Sequence, residues 1–377
     1  MTESQFDKSL QKLNVLFKYS GLNLKHKITS TSDALKHRWL FIFNFVWVMS
    51  ATIASFYYIY IGIKQGKNFI ELTSVAPCLT FTLLAIFKSI FLIFNEGNIF
   101  KLIDKLRKLE FESTNNTTIE KEAIVKEDKN FLNGVINVLY FINCCMIIVF
   151  DMTPFVLIAV KYYKTKEFEM LLPYLDVFSF IPYELKYWPF AYVHQIWSEC
   201  IVLLEMGAAD YLFFTCCTYI KIQFRLLKCD IEELIPIDNN TAGCSDELFH
   251  GKLCNLVKWH QDLIELTNIL EKIYNKSTLF NFLSSSLVIC LTGFNVTVID
   301  DITVIITFVT FLMGGLMQVF FLCFFSDMLM SAVSIRQSQT PCKLTASEFA
   351  DVNLRAFMKV LSTSWSYFAL LQTIFKG

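Results

Sequence analysis

Ionisable side chains interrupt several long apolar runs of this sequence. Those well inside a run are Lys88, Asp151, Glu199, Glu205 and Asp210, while His194 lies near the edge of one. An isolated charge is costly in apolar surroundings, so each group needs a partner, a hydrogen-bonding neighbour or water. Because Lys88 and Asp210 lie at similar depths in their runs, we expect them to pair or to share a polar network. That network either fixes helix packing, which is the favoured interpretation, or serves ion conduction.

The last apolar run, LSTSWSYFALLQTIF at residues 361–375, carries several hydroxyl groups in its first half. On a helix, one narrow stripe collects the small, polar and basic residues Arg355, Lys359, Ser362, Ser366, Ala369 and Thr373. The opposite side is bulky and apolar. Small and hydroxyl residues occur at ordinary helix contacts, but they also line water-filled paths. In the second interpretation several copies of the helix surround a pore, with Leu370 and Ile374 as an apolar constriction.

Signatures of enzymes and of metal sites are absent from the sequence. There is no phosphate-binding glycine loop, no zinc-protease helix and no nucleophile elbow. No Cys and His spacing resembles a zinc site, and His194 alone is more typical of a packed or interfacial histidine. We therefore expect no catalytic activity, no metal and no cofactor.

The composition indicates the environment of these apolar runs. Of the 377 residues, 54% are hydrophobic and only 18% are charged, whereas soluble domains carry about a quarter of charged residues. A soluble protein of this size could not bury 38 Phe side chains and keep a normal polar surface. Lipid is therefore the expected partner of much of this surface. The net charge of −1 gives no indication of a nucleic-acid partner.

Seven apolar runs are long enough to cross a bilayer as helices, which needs about 20 residues. The predicted spans are Trp39–Ile63, Glu71–Phe94, Gly134–Val160, Tyr192–Ile220, Leu279–Val298, Ile302–Phe325 and Val352–Phe375. Of the 33 Lys and Arg residues, 25 fall on one side of these spans and 7 on the other, with Lys88 inside one. Because positive residues favour the cytoplasmic side, we expect a cytoplasmic amino terminus and an extracellular carboxyl terminus.

The predicted architecture is an all-α membrane protein with one seven-helix domain over residues 1–377. A cytoplasmic amino-terminal region at 1–38 precedes the first four helices at 39–220. Residues 221–277 form a cytoplasmic helical anchor segment, in which apolar residues repeat at helical spacing from Leu253 to Leu270. Helices five and six at 279–325 lead through a short cytoplasmic connection at 326–351 to the last helix at 352–375.

Several stretches of the sequence resemble the insect odorant receptor family. KVLSTSWSYFALL at 359–371 is similar to the carboxyl-terminal signature of that family, and RQSQTPCKLTASEF at 336–349 resembles the run that precedes it. The stretch from His260 to Cys290 resembles the segment entering the fifth span, and DYLFF from Asp210 resembles the inner part of the fourth. Together these motifs cover most of the chain.

The resemblance implies a ligand-gated, poorly selective cation channel in the plasma membrane of olfactory sensory neurons. It implies that an odorant-binding tuning subunit joins a shared co-receptor in a hetero-oligomer, expected to be a tetramer, whose last helices line the pore. The gate positions of the family fall on Leu370 and Ile374, the polar pore position between them falls on Thr373, and Ser366 lies on the same stripe. Thr373 favours a tuning subunit, because the co-receptor and gustatory receptors carry Gln there.

The resemblance also implies a pocket for a small volatile odorant in the outer half, among the second, third, fourth and sixth spans. Candidates chosen by depth are Thr80, Ile147, Phe150, His194, Trp197, Ile201, Phe308 and Phe311. The alternatives are a G-protein-coupled receptor or a gustatory seven-helix chemoreceptor. A coupled receptor would normally show the opposite orientation, an outer disulfide and the triplet Asp-Arg-Tyr, none of which is found. A transporter would show an inverted repeat, and none stands out.

Overall fold

The computed structural model describes residues 5–22, 31–114, 118–166, 168, 170–173, 184–234, 246–333 and 343–376. Parts of the predicted amino-terminal region, anchor segment and last connection, at 23–30, 235–245 and 334–342, lie outside the described residues. The helices are α1 (Gln5–Ser20), α2 (Thr31–Lys64), α3 (Phe69–Phe94), α4 (Glu96–Thr114), α5 (Ile119–Thr165), α6 (Trp188–Leu234), α7 (Asp246–Val298), α8 (Ile302–Val333) and α9 (Leu354–Lys376).

Helix α6 lies at the centre of the bundle. It packs against α1, α2, α3, α5, α7 and α8, and 83% of its most apolar part is buried, against 22% in α2, α5 and α8. Rings on this helix stack into the surrounding helices: Phe214 lies 4.5 Å from Phe325 of α8, and Phe213 lies 4.9 Å from Tyr274 of α7. A helix that is apolar on all sides is stable only when it is surrounded.

Several helices extend well beyond the predicted spans. Helix α5 has 47 residues and α7 has 53, so at 1.5 Å per residue they are about 70 and 80 Å long, far more than a bilayer core. The predicted apolar runs mark only the part that lipid would surround. The extensions pack with α4 into what we call the extramembrane bundle: α4 and residues 119–133, 221–234 and 246–278.

The amino-terminal region contains a helix that the hydropathy pattern does not indicate. In α1 the apolar residues Phe6, Leu10, Leu13 and Phe17 recur at helical spacing and are buried. This face packs on α6, where Phe6 lies 4.9 Å from the ring of Tyr219 and the Ser9 hydroxyl is 2.9 Å from the Tyr219 hydroxyl. The helix is short and amphipathic, so it adds to the core without resembling a span.

A small hairpin precedes the last helix and moves its start from the predicted Val352 to Leu354. Strands β1 (Thr345–Ala346) and β2 (Ala350–Asp351) pair antiparallel, and the Val352 N–H donates to the Leu344 carbonyl at 2.8 Å. Val352 therefore extends the hairpin. Asn353 then caps the helix, because its side-chain oxygen accepts from the Ala356 N–H at 2.9 Å.

The predicted all-α membrane class is confirmed by this architecture. Within the described part of the chain, six helices are long and apolar enough to cross a membrane: α2, α3, α5, α6, α7 and α8. Helix α9 corresponds to the seventh predicted span, and its 23 residues would cover about 35 Å. Its hydroxyl and basic residues make it less apolar than the other six. The orientation of the termini stays a prediction.

Candidate functional site

A buried ion pair lies near the middle of the bundle. Lys88 of α3 and Asp210 of α6 approach to 2.5 Å between Nζ and Oδ1, and Lys88 is only 2% exposed. The second carboxylate oxygen accepts from the Gln318 amide of α8 at 3.1 Å. Three helices are thus joined by one polar cluster. Because each charge has its partner within an apolar interior, removing one member would leave the other uncompensated.

A cavity of about 60 Å³ lies directly beside this cluster. It is bounded by α3, α5, α6 and α8, the four spans among which the odorant pocket is expected. Most of its wall is apolar, and four of its side chains are polar. The lining residues are Phe81, Leu139, Ile142, Asn143, Met146, Leu203, Met206, Gly207, Asp210, Tyr211, Phe214, Gly314, Met317, Gln318 and Phe321.

A hydrogen bond between α5 and α6 connects two of the polar side chains that line the cavity. The Asn143 amide donates to the Tyr211 hydroxyl at 3.1 Å, and the Tyr211 ring lies 5.1 Å from that of Tyr140. Tyr211 follows Asp210 in the chain, so one turn of α6 supplies both a carboxylate and a phenol to the same cavity. We call Asn143, Asp210, Tyr211 and Gln318 the polar floor.

Three aromatic rings lie two helical turns away from the polar floor. Phe81 of α3 lines the cavity and stacks on Phe311 of α8 at 5.7 Å, and Phe311 meets Phe150 of α5 edge-on at 4.2 Å. Each ring is seven residues from a polar group on its own helix: Phe81 from Lys88, Phe150 from Asn143, and Phe311 from Gln318. We call these three rings the aromatic end, although only Phe81 of the three lines the cavity itself.

The eight ligand candidates chosen by depth are distributed over several places in the structure. Phe150 and Phe311 meet at the aromatic end, but none of the eight is among the described residues that line the cavity. Phe308 is buried in α8, and Ile147 is half-buried in α5. Thr80 lines a separate narrow crevice with Ser284 and Ser285 of α7, although the next residue, Phe81, lines the cavity.

The candidates on α6 are turned towards α2. His194 stacks on Trp47 at 5.1 Å, and its Nε2 lies 2.8 Å from the Ser50 hydroxyl. Ile201 belongs to a buried cluster with Val48 of α2, and Trp197 is exposed. His194 and Ile201 therefore join two helices, and none of the three side chains is among the residues that line the cavity.

The acidic residues of the outer half also have defined neighbours. Asp151 of α5 and Glu199 of α6 hydrogen-bond to one another, and the Tyr192 hydroxyl donates to the Asp151 carbonyl. Glu205, one helical turn before Ala209, is buried beside Ser89 of α3. Acidic groups in these runs thus lie at helix contacts.

Helix α9 has one buried and one exposed face. Val360 and Ser364 are buried against the bundle, Phe357 meets Phe320 of α8 at 5.5 Å, and Phe368 lies over Gly293 of α7. On the other side Ser366, Leu370, Thr373 and Ile374 are exposed, Leu370 to 56% and Ile374 to 61%. The Ser366 and Thr373 hydroxyls donate to the carbonyls four residues earlier, which satisfies them within the helix.

Ion pairs hold the extramembrane bundle together. Lys121 of α5 contacts Asp230 and Glu233 of α6, at 2.5 and 3.2 Å, and Arg225 lies 2.9 Å from Asp128. Burial would lower the pKa of the Lys121 ammonium, but hydrogen bonds to Asp230 and Glu233 outweigh it and raise this pKa. These contacts fix the ends of the helices whose middle parts form the cavity.

A second set of ion pairs joins α4 to α7. Glu265 lies between Lys101, at 2.8 Å, and Lys105. Hydrogen bonds from Lys101 and Lys105 lower the pKa of the Glu265 carboxyl to about 2. This pair is partly exposed to solvent, so its contribution to stability is small.

Three polar residues that line the cavity were absent from the sequence-based candidates: Asn143, Tyr211 and Gln318. A signal for two of them exists, because Asn143 and Gln318 are side-chain amides within apolar runs, where neutral polar groups also require partners. The residues of the apolar runs for which the sequence predicted polar partners are all ionisable. Tyr211 carries no comparable signal, since tyrosine is common in membrane helices.

The comparisons with known proteins agree with this arrangement. The sequence profile described as 7tm Odorant receptor matches residues 68–335, which include every helix that bounds the cavity. The chain belongs to the 7tm odorant receptor family. As a member of this family it is a ligand-binding receptor and not an enzyme. The match supports the odorant receptor interpretation over the coupled-receptor and gustatory alternatives.

Individual odorant receptors are similar over most of their length. The chain is 26% identical to odorant receptor 67c of Drosophila melanogaster, covering 93% of this chain and 92% of the relative. It is 25% identical to putative odorant receptor 92a of the same organism, covering 90% and 88%. The fold matches that of the insect olfactory receptor OR5 from Machilis hrabei in complex with eugenol, with a TM-score of 0.76, 14% identity and 98% of each chain covered.

Proposed function

We propose that this odorant receptor is a tuning subunit that binds a small volatile molecule and gates a non-selective cation channel with a shared co-receptor. It would act in the plasma membrane of olfactory sensory neurons, with its amino terminus in the cytoplasm. The odorant shifts an equilibrium between closed and open arrangements, as any ligand does that prefers one of two states. The observation that carries the channel part of this proposal is the exposed stripe of α9.

The α9 stripe supports a pore because none of the described residues covers it. Ser366, Leu370, Thr373 and Ile374 are exposed, while the opposite face is packed on α7 and α8. In an assembly of several subunits these residues would face a common axis, with hydroxyls along the path and Leu370 and Ile374 as the apolar gate.

The cavity supports the ligand-binding part of the proposal. It lies among α3, α5, α6 and α8, has a predominantly apolar wall and contains few polar groups, which is typical of small-molecule sites. We therefore assign odorant binding to the residues around the polar floor and the aromatic end. Of the eight depth-based candidates, Phe150 and Phe311 keep a place at that aromatic end.

Co-expression with an odorant co-receptor, followed by current recordings and thiol modification, tests the proposal. Ser366→Cys and Thr373→Cys should become reactive towards water-soluble methanethiosulfonates, and modification should change the current. Ser364→Cys is the matched control, because Ser364 is 0% exposed in the same helix and should be protected. Unmodified native channels provide the background for the native cysteines. Leu370→Ala should raise the basal current, whereas Leu287→Ala, an equally exposed leucine on α7, should not.

Three results would each contradict a part of the proposal. If Ser366→Cys and Thr373→Cys stay unmodified in both resting and stimulated channels, α9 does not border the pore. If no volatile changes the current of the co-expressed complex, the tuning role is wrong. An epitope at the amino terminus that antibodies reach on intact cells would reverse the predicted orientation.

A further inference from the structure

The side-chain amide of Gln318 uses its nitrogen in a hydrogen bond, but its oxygen has no partner among the described residues. Its nitrogen donates to Asp210 Oδ2 at 3.1 Å, and the other carboxylate oxygen of Asp210 contacts the Lys88 ammonium. Carboxylate oxygens that already pair with an ammonium accept hydrogen bonds, so the amide nitrogen must face them and the amide oxygen must point elsewhere. That oxygen is buried and has no hydrogen-bond partner among the described residues. A buried acceptor without a partner is unfavourable.

Tyr211 offers the complementary group on the same cavity. Its hydroxyl oxygen accepts from the Asn143 amide, so the hydroxyl hydrogen is directed away from Asn143. Within the described part of the chain no acceptor is found for that hydrogen. The polar floor therefore presents one free acceptor, the Gln318 oxygen, and one free donor, the Tyr211 hydroxyl, within a lining that is otherwise mostly apolar.

The rest of the cavity restricts the size and character of what can reach the polar floor. A volume of about 60 Å³ admits only a small group to the polar floor, such as the hydroxyl end of a volatile molecule. Phe81, Met206 and Phe214 are among the apolar and polarisable side chains around it. No side chain of the lining other than Asp210 is charged, and that carboxylate is already neutralised by Lys88.

We propose that the odorant carries a hydroxyl group, which donates to the Gln318 oxygen and accepts from the Tyr211 hydroxyl, while its apolar body lies against the cavity wall. This inference rests on the proposed odorant-binding function. An alcohol both donates and accepts a hydrogen bond, an aldehyde or ketone only accepts, and a hydrocarbon does neither. A carbonyl compound would leave the Gln318 oxygen unsatisfied, and a hydrocarbon would satisfy neither group.

Matched pairs of volatiles test the proposal on the full chain co-expressed with a co-receptor. We would record dose–response curves for benzyl alcohol against benzaldehyde and for 1-hexanol against hexanal. One net hydrogen bond contributes about 1 kcal/mol, so the alcohol of each pair should be about five- to tenfold more potent. Gln318→Met should bring this ratio close to one, because it removes the acceptor that only an alcohol can use. Tyr211→Phe removes a donor that alcohol and aldehyde share, so it should lower the potency of both about fivefold and preserve their ratio.

A matched control separates loss of the polar contact from loss of the cavity shape. Leu203→Met changes the apolar wall of the same cavity and should move the curves for alcohol and aldehyde together, leaving their ratio unchanged. Surface labelling establishes that each variant reaches the membrane. Because Tyr211→Phe removes a single oxygen, it tests the second contact of the proposal, by an equal loss of potency for alcohol and aldehyde, where Gln318→Met fails to reach the surface.

Failures of the two proposals give different results in these recordings. The hydroxyl proposal would be overturned, and the receptor function left standing, by equal potency of alcohol and aldehyde in the wild-type complex, by a ratio that survives Gln318→Met, or by potencies that Tyr211→Phe leaves unchanged. Currents evoked only by volatiles without a hydroxyl would have the same meaning. A complex that no volatile activates would contradict the tuning function itself.

Discussion

Helices α6 and α9 are both predicted to cross the membrane, yet their surroundings differ completely. Helix α6 is covered on all sides by other helices, and its one charged group at the polar floor, Asp210, is neutralised by Lys88. Helix α9 is covered on one face by α7 and α8, and its hydroxyl stripe is not covered by any of the described residues. The comparison indicates that α6 completes its contacts within the chain, whereas the exposed face of α9 is left for water, lipid or another chain.

The largest expected effect concerns the ion pair on α6. Lys88→Met should destabilise the chain by about 3–5 kcal/mol, because it leaves the buried Asp210 carboxylate without its partner. Thermal unfolding of the purified chain in detergent, followed by tryptophan fluorescence, measures the change. The charge-swapped double variant Lys88→Asp with Asp210→Lys should recover part of the loss. Absence of any recovery would mean that the pair does not act as a unit.

Two serines in α9 test the difference between its buried and exposed faces, with an expected effect on stability of intermediate size. Ser364 is fully buried against the bundle and Ser362 is exposed, although they are only two residues apart. Ser364→Leu should therefore overpack the contact and cost about 1–3 kcal/mol, while Ser362→Leu should change the stability of the isolated chain by less than about 0.5 kcal/mol. Unfolding midpoints of the two variants give the answer directly. Equal effects would contradict the two-faced description of α9.

The smallest expected effect comes from an ion pair that water reaches. Glu265, between Lys101 and Lys105, should contribute only about 0.2–1 kcal/mol, so Glu265→Gln is a mild change. Because its folded pKa is lowered to about 2 from an ordinary 4.5, this contribution is complete above pH about 4.5 and is lost as the pH falls towards 2.

The pH series therefore compares the wild type with Glu265→Gln at each pH, which cancels the titration of all other groups. The difference in unfolding midpoint should be present at pH 6 and vanish near pH 2. A difference that stays constant over this range would show that Glu265 does not act through its charge. A difference as large as that of Lys88→Met would contradict the contrast between buried and exposed pairs.

The sequence predicts depth in the membrane better than it predicts direction around a helix. Lys88 and Asp210 lie 122 positions apart, yet opposite charges at one depth have few other partners, so the expected pairing matches the contact in the structure. The ligand candidates relied on depth alone. A shift of one residue rotates a side chain by about 100°, which is why Phe81 lines the cavity and Thr80 faces α7.

Other features carry little signal in the sequence for physical reasons. The extension of α5 is rich in charged residues, so hydropathy ends where lipid would end and the helix continues. The extension of α7 is different, because the apolar spacing from Leu253 to Leu270 already indicates a helix there. The hairpin before α9 has two strands of two residues each, which is too short for a period-two pattern. Amides such as Gln318 become informative only when the neighbouring helices are in place.

The attachment of α9 to the rest of the chain has a mechanical consequence. Its first turn is tied down: the Ser326 hydroxyl of α8 donates to the Val352 carbonyl at 2.6 Å, the Thr345 hydroxyl donates to Glu271 of α7 at 2.6 Å, and Asn353 caps the helix. A helix that is held at one end is displaced most at its other end when it tilts. Leu370 lies about 24 Å along the helix from Leu354, so leaning by only about 5° would displace it by roughly 2 Å.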